Sequence, residues 1–176
     1  QELLAREVNP AEQCTLTVGS MLFGDGATNV IPSVGVLNGT MRGFNAELID
    51  QLRKRVEEVS VGTARVFGGD AEVEWLFSSP AMYCDADFTD DVVRYATDVV
   101  GAERMIPKKE RATGSEDFAY FGQKVPSQIF WLGAGVEDKS KRISNHNPKV
   151  LFSEEALPYG AAVYAQCAIQ WLKEHK

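Results

Sequence analysis

The chain is poor in the side chains that bind soft metals and form crosslinks. Its 176 residues hold two histidines, His146 and His175, and three cysteines, Cys14, Cys84 and Cys167. The cysteines are odd in number, widely spaced and never arranged as CxxC, which excludes a disulfide framework and a cysteine-paired metal knuckle. A reducing, cytoplasmic setting is the simplest expectation. No apolar run approaches the roughly 20 residues that span a bilayer. Positive charge is also scarce. Eighteen Lys and Arg stand against 25 Asp and Glu, a net charge of −7, which argues against nucleic acid or an anionic membrane as the main partner. The opening "QELLAREVNP" has no apolar core or cleavage pattern of a secretory leader. It reads as the last turns of a helix stopped by Pro10, with no capping residue to open it, so the sequence is expected to begin inside an element. There is no internal repeat and no low-complexity tract.

What is present is ordinary globular material, 44% hydrophobic and 24% charged, enough for one domain or two small ones. Alternation predicts strands at 15–23, 34–44 and 71–77. The Asn38-Gly39 pair inside the second marks a hairpin or a bulge. Asn45 is placed to cap a helix to about Val61 whose buried stripe is Leu48, Leu52, Val56 and Val59, with "GGD" breaking it. This order suggests an antiparallel sheet with a helix on one side. The character changes near residues 78–84. Thr89 is expected to cap a second helix, with Asp90 and Asp91 at its positive end and Gly101 at its close. "QIFWLGAG" reads as a buried strand of an α/β layer. The last helix follows Ser153, with Leu157, Gly160, Ala161, Tyr164, Ala168, Trp171 and Leu172 as its face.

Three stretches could carry chemistry. His146 lies between Asn145 and Asn147 and before Pro148, a stiff polar loop between a strand and a helix. A histidine held in one orientation is a good metal ligand, although an unremarkable loop histidine is the commoner case. In "ATGSEDFAYF", Gly114 and Ser115 free the backbone and Glu116 and Asp117 set two carboxylates at a helix mouth. Ser115 as cap with acids on the dipole would explain that stretch by itself. In "TNVIP" and "GTMRGF", Asn29 sits in a turn and Arg42 on a strand, where a guanidinium either clamps a carboxylate or is simply solvated.

Taken in order, "AREVNP", "GATNVIP", "GTMRGF", "GSEDFAYF" and "NHNPKVLFSEEALPYGAAV" resemble the C-terminal half of the metal-dependent aminoacylase and carboxypeptidase family. The nearest branch holds hippurate hydrolase, the auxin-conjugate hydrolases and N-acetyl-diaminopimelate deacetylase. The resemblance implies an α/β protein: an α+β lid portion over residues 1–78, incomplete at its N-terminus and used for dimerisation, then the C-terminal segment of a zinc-peptidase-like α/β catalytic domain over 79–176. It implies His146 as a metal ligand, Asn29 and Arg42 as cleft residues for a substrate carboxylate, and Gly114, Ser115 and Glu116 as the loop closing one side of the cleft. His175 has no counterpart and is expected to be solvated. The whole enzyme would use two divalent ions, zinc or manganese, to hydrolyse N-acyl amino acids or related peptides.

The family's other ligands, a Cys-x-His segment, a Glu-Glu pair that includes the general base, and another histidine, have no match here. No cysteine is followed by histidine two positions on, and the only Glu-Glu pairs, Glu57-Glu58 and Glu154-Glu155, fall on helices. One ligand of about five cannot build a zinc site that needs roughly four donors. The chain alone is therefore expected to be inactive, with the missing N-terminal half as its partner. The rival expectation is a non-catalytic dimerisation or binding module derived from that family. Cys84 is a further departure, standing where relatives carry asparagine before an aspartate.

Overall fold

The computed structural model describes residues 2–24, 26–108 and 110–176. The chain divides into two compact units, one of residues up to Ala81 with Ala112–Ala119, the other of Met82–Arg111 with Tyr120–Lys176.

In the first unit, helix α1 (Glu2–Glu7) precedes strands β1 (Cys14–Phe23) and β2 (Gly35–Gly43) and helix α2 (Ala46–Val66). The two strands pair antiparallel from Cys14↔Gly43 to Phe23↔Gly35. Between Val18↔Gly39 and Ser20↔Asn38 the register shifts by one residue, so Gly19 is a bulge opposite the Asn38-Gly39 pair. Asn38 Nδ2 donates to Ser20 Oγ across it at 3.1 Å. Gly39 is required by a close approach, since a Cβ there would sit 2.6 Å from the Thr17 carbonyl oxygen.

Asn45 caps α2 as its sequence position predicts, with Oδ1 accepting from Leu48 N at 3.2 Å. The helix runs five residues past the expected Val61, because Gly62 lies inside it and the chain first turns at Gly68, at φ +80°. The amides of Gly68 and Gly69 then donate to the carbonyls of Arg65 and Ala64. Leu52 is fully buried, worth about 1.5–3 kcal/mol relative to exposure, whereas Val59 of the expected stripe is exposed. Arg55 ties α2 to α1 through both Glu7 oxygens, at 2.7 and 2.8 Å, and also bonds Glu58. The Arg55 hydrogen bonds hold the Glu7 carboxyl below its usual range.

Residues 71–77 form no strand. Ala71 and Val73 keep the alternation by turning half inward, but the segment joins no ladder, and its Trp75 reaches α2. Trp75 Nε1 donates to Glu57 Oε1 at 2.7 Å, and the Arg53 guanidinium lies 5.3 Å from the Trp75 ring centre. The sheet of described residues is thus the two-stranded β1–β2 ribbon, and its far end exposes Met21, Leu22, Phe23 and Leu37.

The second unit packs helix α3 (Ala86–Val100) on the long C-terminal helix; between them in sequence comes the short helix α4 (Ala119–Gly122), whose first residue groups with the first unit. The C-terminal helix is α5 (Ala156–Glu174). Asp85, not Thr89, caps α3, its Oδ1 accepting from Phe88 N at 2.9 Å. Aspartate four residues earlier wins because its carboxylate is free to cap, and the Thr89 hydroxyl bonds Gln128 Oε1 at 2.8 Å from within the first turn. Gly101, at φ +82°, ends α3 as expected.

On α5 the buried residues are Ala156, Gly160 and Val163; Gly160 belongs to the expected face, whereas Leu157, Tyr164 and Leu172 of that face are more than 60% exposed. Gly160 brings the segment carrying Leu132 close, with Leu132 Cδ2 2.9 Å from where a Cβ would be. That segment, the expected buried strand 128–135, makes only an isolated bridge, Gly135↔Phe152, and Trp131 and Leu132 are exposed. An apolar extended segment becomes a buried strand only when neighbours satisfy its backbone, and no described strand pairs with it. At the far end of α5, Glu174 takes hydrogen bonds from Arg94 at 3.0 and 2.8 Å and from the hydroxyl of fully buried Tyr95 at 2.7 Å.

Candidate functional site

The expected site residues fall in both units. In the first, Arg42 is the penultimate residue of β2, and its Nη1 donates to the Thr113 carbonyl at 3.0 Å and to Ser115 Oγ at 3.1 Å. The strand therefore holds the 113–115 loop through one guanidinium nitrogen. Within the described residues Nε and Nη2 make no hydrogen bond, which leaves two donors of the fork for a carboxylate. Gly114 is exposed, and no atom lies within 4 Å of where its Cβ would be.

Ser115 does not cap the helix that follows. Ahead of that helix, Glu116 Oε1 accepts from Phe118 N at 3.1 Å and the Glu116 carbonyl from Ala119 N at 3.3 Å. Ser115 is engaged by Arg42 instead. Asn29 lies in the exposed turn between β1 and β2. The structure thus joins Arg42 to Ser115 and places Gly114 and Glu116 on either side of the contact. The Thr113 carbonyl was invisible to residue-type reasoning because every residue carries one.

In the second unit His146 is exposed at φ +65°, the only non-glycine residue at positive φ among those described. Few non-glycine residues adopt that region, histidine among the more frequent of them, and backbone outliers of this kind concentrate at functional sites. Two bonds fix the turn after it: Asn147 Oδ1 accepts from Lys149 N at 2.9 Å, and the Asn147 carbonyl accepts from Val150 N at 3.0 Å. His175 stacks on Trp171 with ring centres 4.6 Å apart, so it is engaged by its own helix.

A cavity of about 330 Å³ lies at the start of α3, lined by Tyr83, Cys84, Asp85 and residues 122–127, and it contains none of the expected site residues. All three cysteines are free. Burial pushes the thiols of Cys14 and Cys167 up, away from thiolate chemistry.

The profile of Peptidase family M20/M25/M40 matches residues 6–170. The chain belongs to this family. It is 33% identical over 178 aligned residues to "IAA-amino acid hydrolase ILR1-like 2" of Arabidopsis thaliana, covering 99% of this chain and 39% of that protein. It is 35% identical over 163 residues to N-acetyldiaminopimelate deacetylase of Streptococcus suis, covering 90% of this chain and 40% of the relative. Among solved structures, the YXEP protein of Bacillus subtilis, described as a dinuclear metal-binding peptidase of the M20 family, matches with a TM-score of 0.72 at 25% identity over 91% of this chain and 42% of that one. The chain therefore spans about 40% of the length of the relatives it matches. Both helices and strands are present, in keeping with the α/β class of these M20 proteins.

A divalent metal centre does not fit this chain by itself. Among the described residues no three His, Cys, Asp or Glu side chains cluster, and His146 supplies one donor where about four are needed. Among the described residues no helix is long and apolar enough to cross a membrane.

Proposed function

We propose that this chain is the C-terminal part of a metal-dependent amidohydrolase that cleaves the amide bond of N-acyl amino acids or related peptides. The whole protein consumes one water and releases an acid and an amine. The observation that carries this reading is the Arg42 fork, tied to the 113–115 loop through Nη1 and open at Nε and Nη2. That geometry suits the carboxylate of an acyl amino acid. Asn29, Gly114 and Glu116 complete the substrate-binding set with Arg42 and Ser115, and His146 is one ligand of a two-ion site, zinc or manganese. The remaining ligands and the general base lie in the N-terminal half of the same protein. Residues 1–78 act as the lid and as the homodimer contact, and 79–176 belong to the catalytic domain. The unpaired thiols suit a cytoplasmic protein.

A second reading, a binding or dimerisation module without catalysis, is favoured by the single metal donor. Full-length protein loaded with zinc or manganese and assayed on N-acyl amino acids decides between them. Hydrolysis with about two ions per chain supports the enzyme. Absence of turnover with full metal loading supports the module.

A further inference from the structure

Arg42 is exposed near the end of β2, yet its side chain is anchored. Nη1 has two N–H donors and meets two acceptors, the Thr113 carbonyl at 3.0 Å and Ser115 Oγ at 3.1 Å. Arg42 and both acceptors belong to the first unit. A single acceptor would let the guanidinium pivot about that bond, whereas two acceptors on one nitrogen also fix the tilt of its plane. One edge is thereby closed. A carboxylate can meet a guanidinium side-on, at Nε and Nη2, or end-on, at Nη1 and Nη2. With Nη1 occupied, the side-on edge is the one left open.

The acids of the chain do not fill that edge. Among the described residues no carboxylate pairs with Arg42, and in the same loop Glu116 Oε1 is taken by the Phe118 amide. The two anchors differ in kind. The Thr113 carbonyl is backbone and survives any side-chain change. The Ser115 hydroxyl is set by residue type, so alanine removes that anchor and threonine keeps it.

Resting on the hydrolase reading above, we propose that Ser115 is a positioning residue that acts on the substrate carboxylate through Arg42. Its hydroxyl holds the guanidinium so that Nε and Nη2 stand ready as a planar pair. An arginine ordered in advance loses less side-chain freedom when the carboxylate binds, and the gain is realised only with a ligand that has two oxygens in one plane.

The test is calorimetric binding of product-like probes to the full-length protein. Alanine, leucine and phenylalanine are each compared with their amino alcohols, which keep the amine and side chain and replace the carboxylate by a hydroxymethyl group. The unaltered protein is expected to prefer the carboxylate in at least one pair. Ser115→Ala should narrow that preference by about three- to tenfold, the scale of ordering one long side chain. Ser115→Thr should retain it. In Arg42→Ala the preference should be gone, and adding Ser115→Ala should change it by less than about twofold, because the two residues act as one unit. No carboxylate preference in any pair, a preference undiminished in Ser115→Ala or not retained by threonine, or a serine effect that persists without Arg42 overturns the proposal. Hydrolysis of the matching N-acyl amino acids is followed in parallel. A preference that depends on Ser115 through Arg42, without hydrolysis, sinks the hydrolase reading alone. Hydrolysis with a preference indifferent to Ser115 sinks this inference alone.

Discussion

At Gly39 a methyl group would meet the Thr17 carbonyl 2.6 Å away, and a strand backbone cannot step aside as a side chain does. Gly62 is the opposite case, a helical glycine with nothing within 4 Å of its would-be Cβ. Gly39→Ala is therefore expected to lose about 1–3 kcal/mol of stability, and Gly62→Ala to gain about 1 kcal/mol. Denaturant midpoints of the full-length variants check both signs. His146 adds a residue whose backbone argues separately from its side chain. Its φ of +65° suits glycine better, so His146→Gly should fold at least as stably as the parent while losing metal and at least about 10–100-fold in rate. Arg42→Ala should instead raise KM with metal content intact. Full metal occupancy and normal turnover in His146→Gly would return that residue to an ordinary loop position.

Among the elements, the join of α3 to the end of α5 has a pH signature. Arg94 and Tyr95 donate to Glu174, and chiefly the Arg94 hydrogen bond lowers its pKa to about 2. A carboxylate depressed in the folded state stabilises above its unfolded pKa, near 4.5, and that contribution is lost as pH falls toward about 2. The Tm of the protein should drop across that window, and Glu174→Gln should flatten the drop while lowering Tm at neutral pH. A parallel decline in parent and variant would remove Glu174 from the account. The same pair of helices shows a limit of pattern reading. Leu157, Tyr164 and Leu172 share a helical face with strong apolar character, yet Ala156, Gly160 and Val163 are the buried residues of α5. A small residue lets a neighbouring segment come close, as Leu132 does at Gly160, a property that hydrophobicity does not register.

For the whole molecule, matched relatives extend over more than twice this length, and one imidazole does not hold a pair of ions. The 176-residue chain alone is expected to show no hydrolysis of N-acyl amino acids above background in a metal-supplemented assay. Turnover by material of that mass alone would refute the missing-donor argument. The β1–β2 ribbon has no further strand on either side among the described residues, and such edges pair with other chains. A dimer through this ribbon should appear in light scattering of the full-length protein, and a charged substitution at Leu37 or Met21, both more than half exposed, should weaken it.

Local chemistry was legible in the sequence because its causes are local. The Asn45 cap, the Gly101 stop and the family motifs around Arg42 and His146 each depend on a few neighbouring residues, and of the hairpin or bulge expected at Asn38-Gly39 the structure has the bulge. Partner choice was not, because it depends on what the rest of the chain brings near. Residues 71–77 and 128–135 have strand-like patterns, but a pattern specifies which face turns inward and not which backbone completes the ladder. The bond from Arg42 to the Thr113 carbonyl, across 71 positions of sequence, exists only because β2 and the 113–115 loop meet in space. The bridge Gly135↔Phe152, which closes the loop that carries His146, is likewise set by tertiary contact.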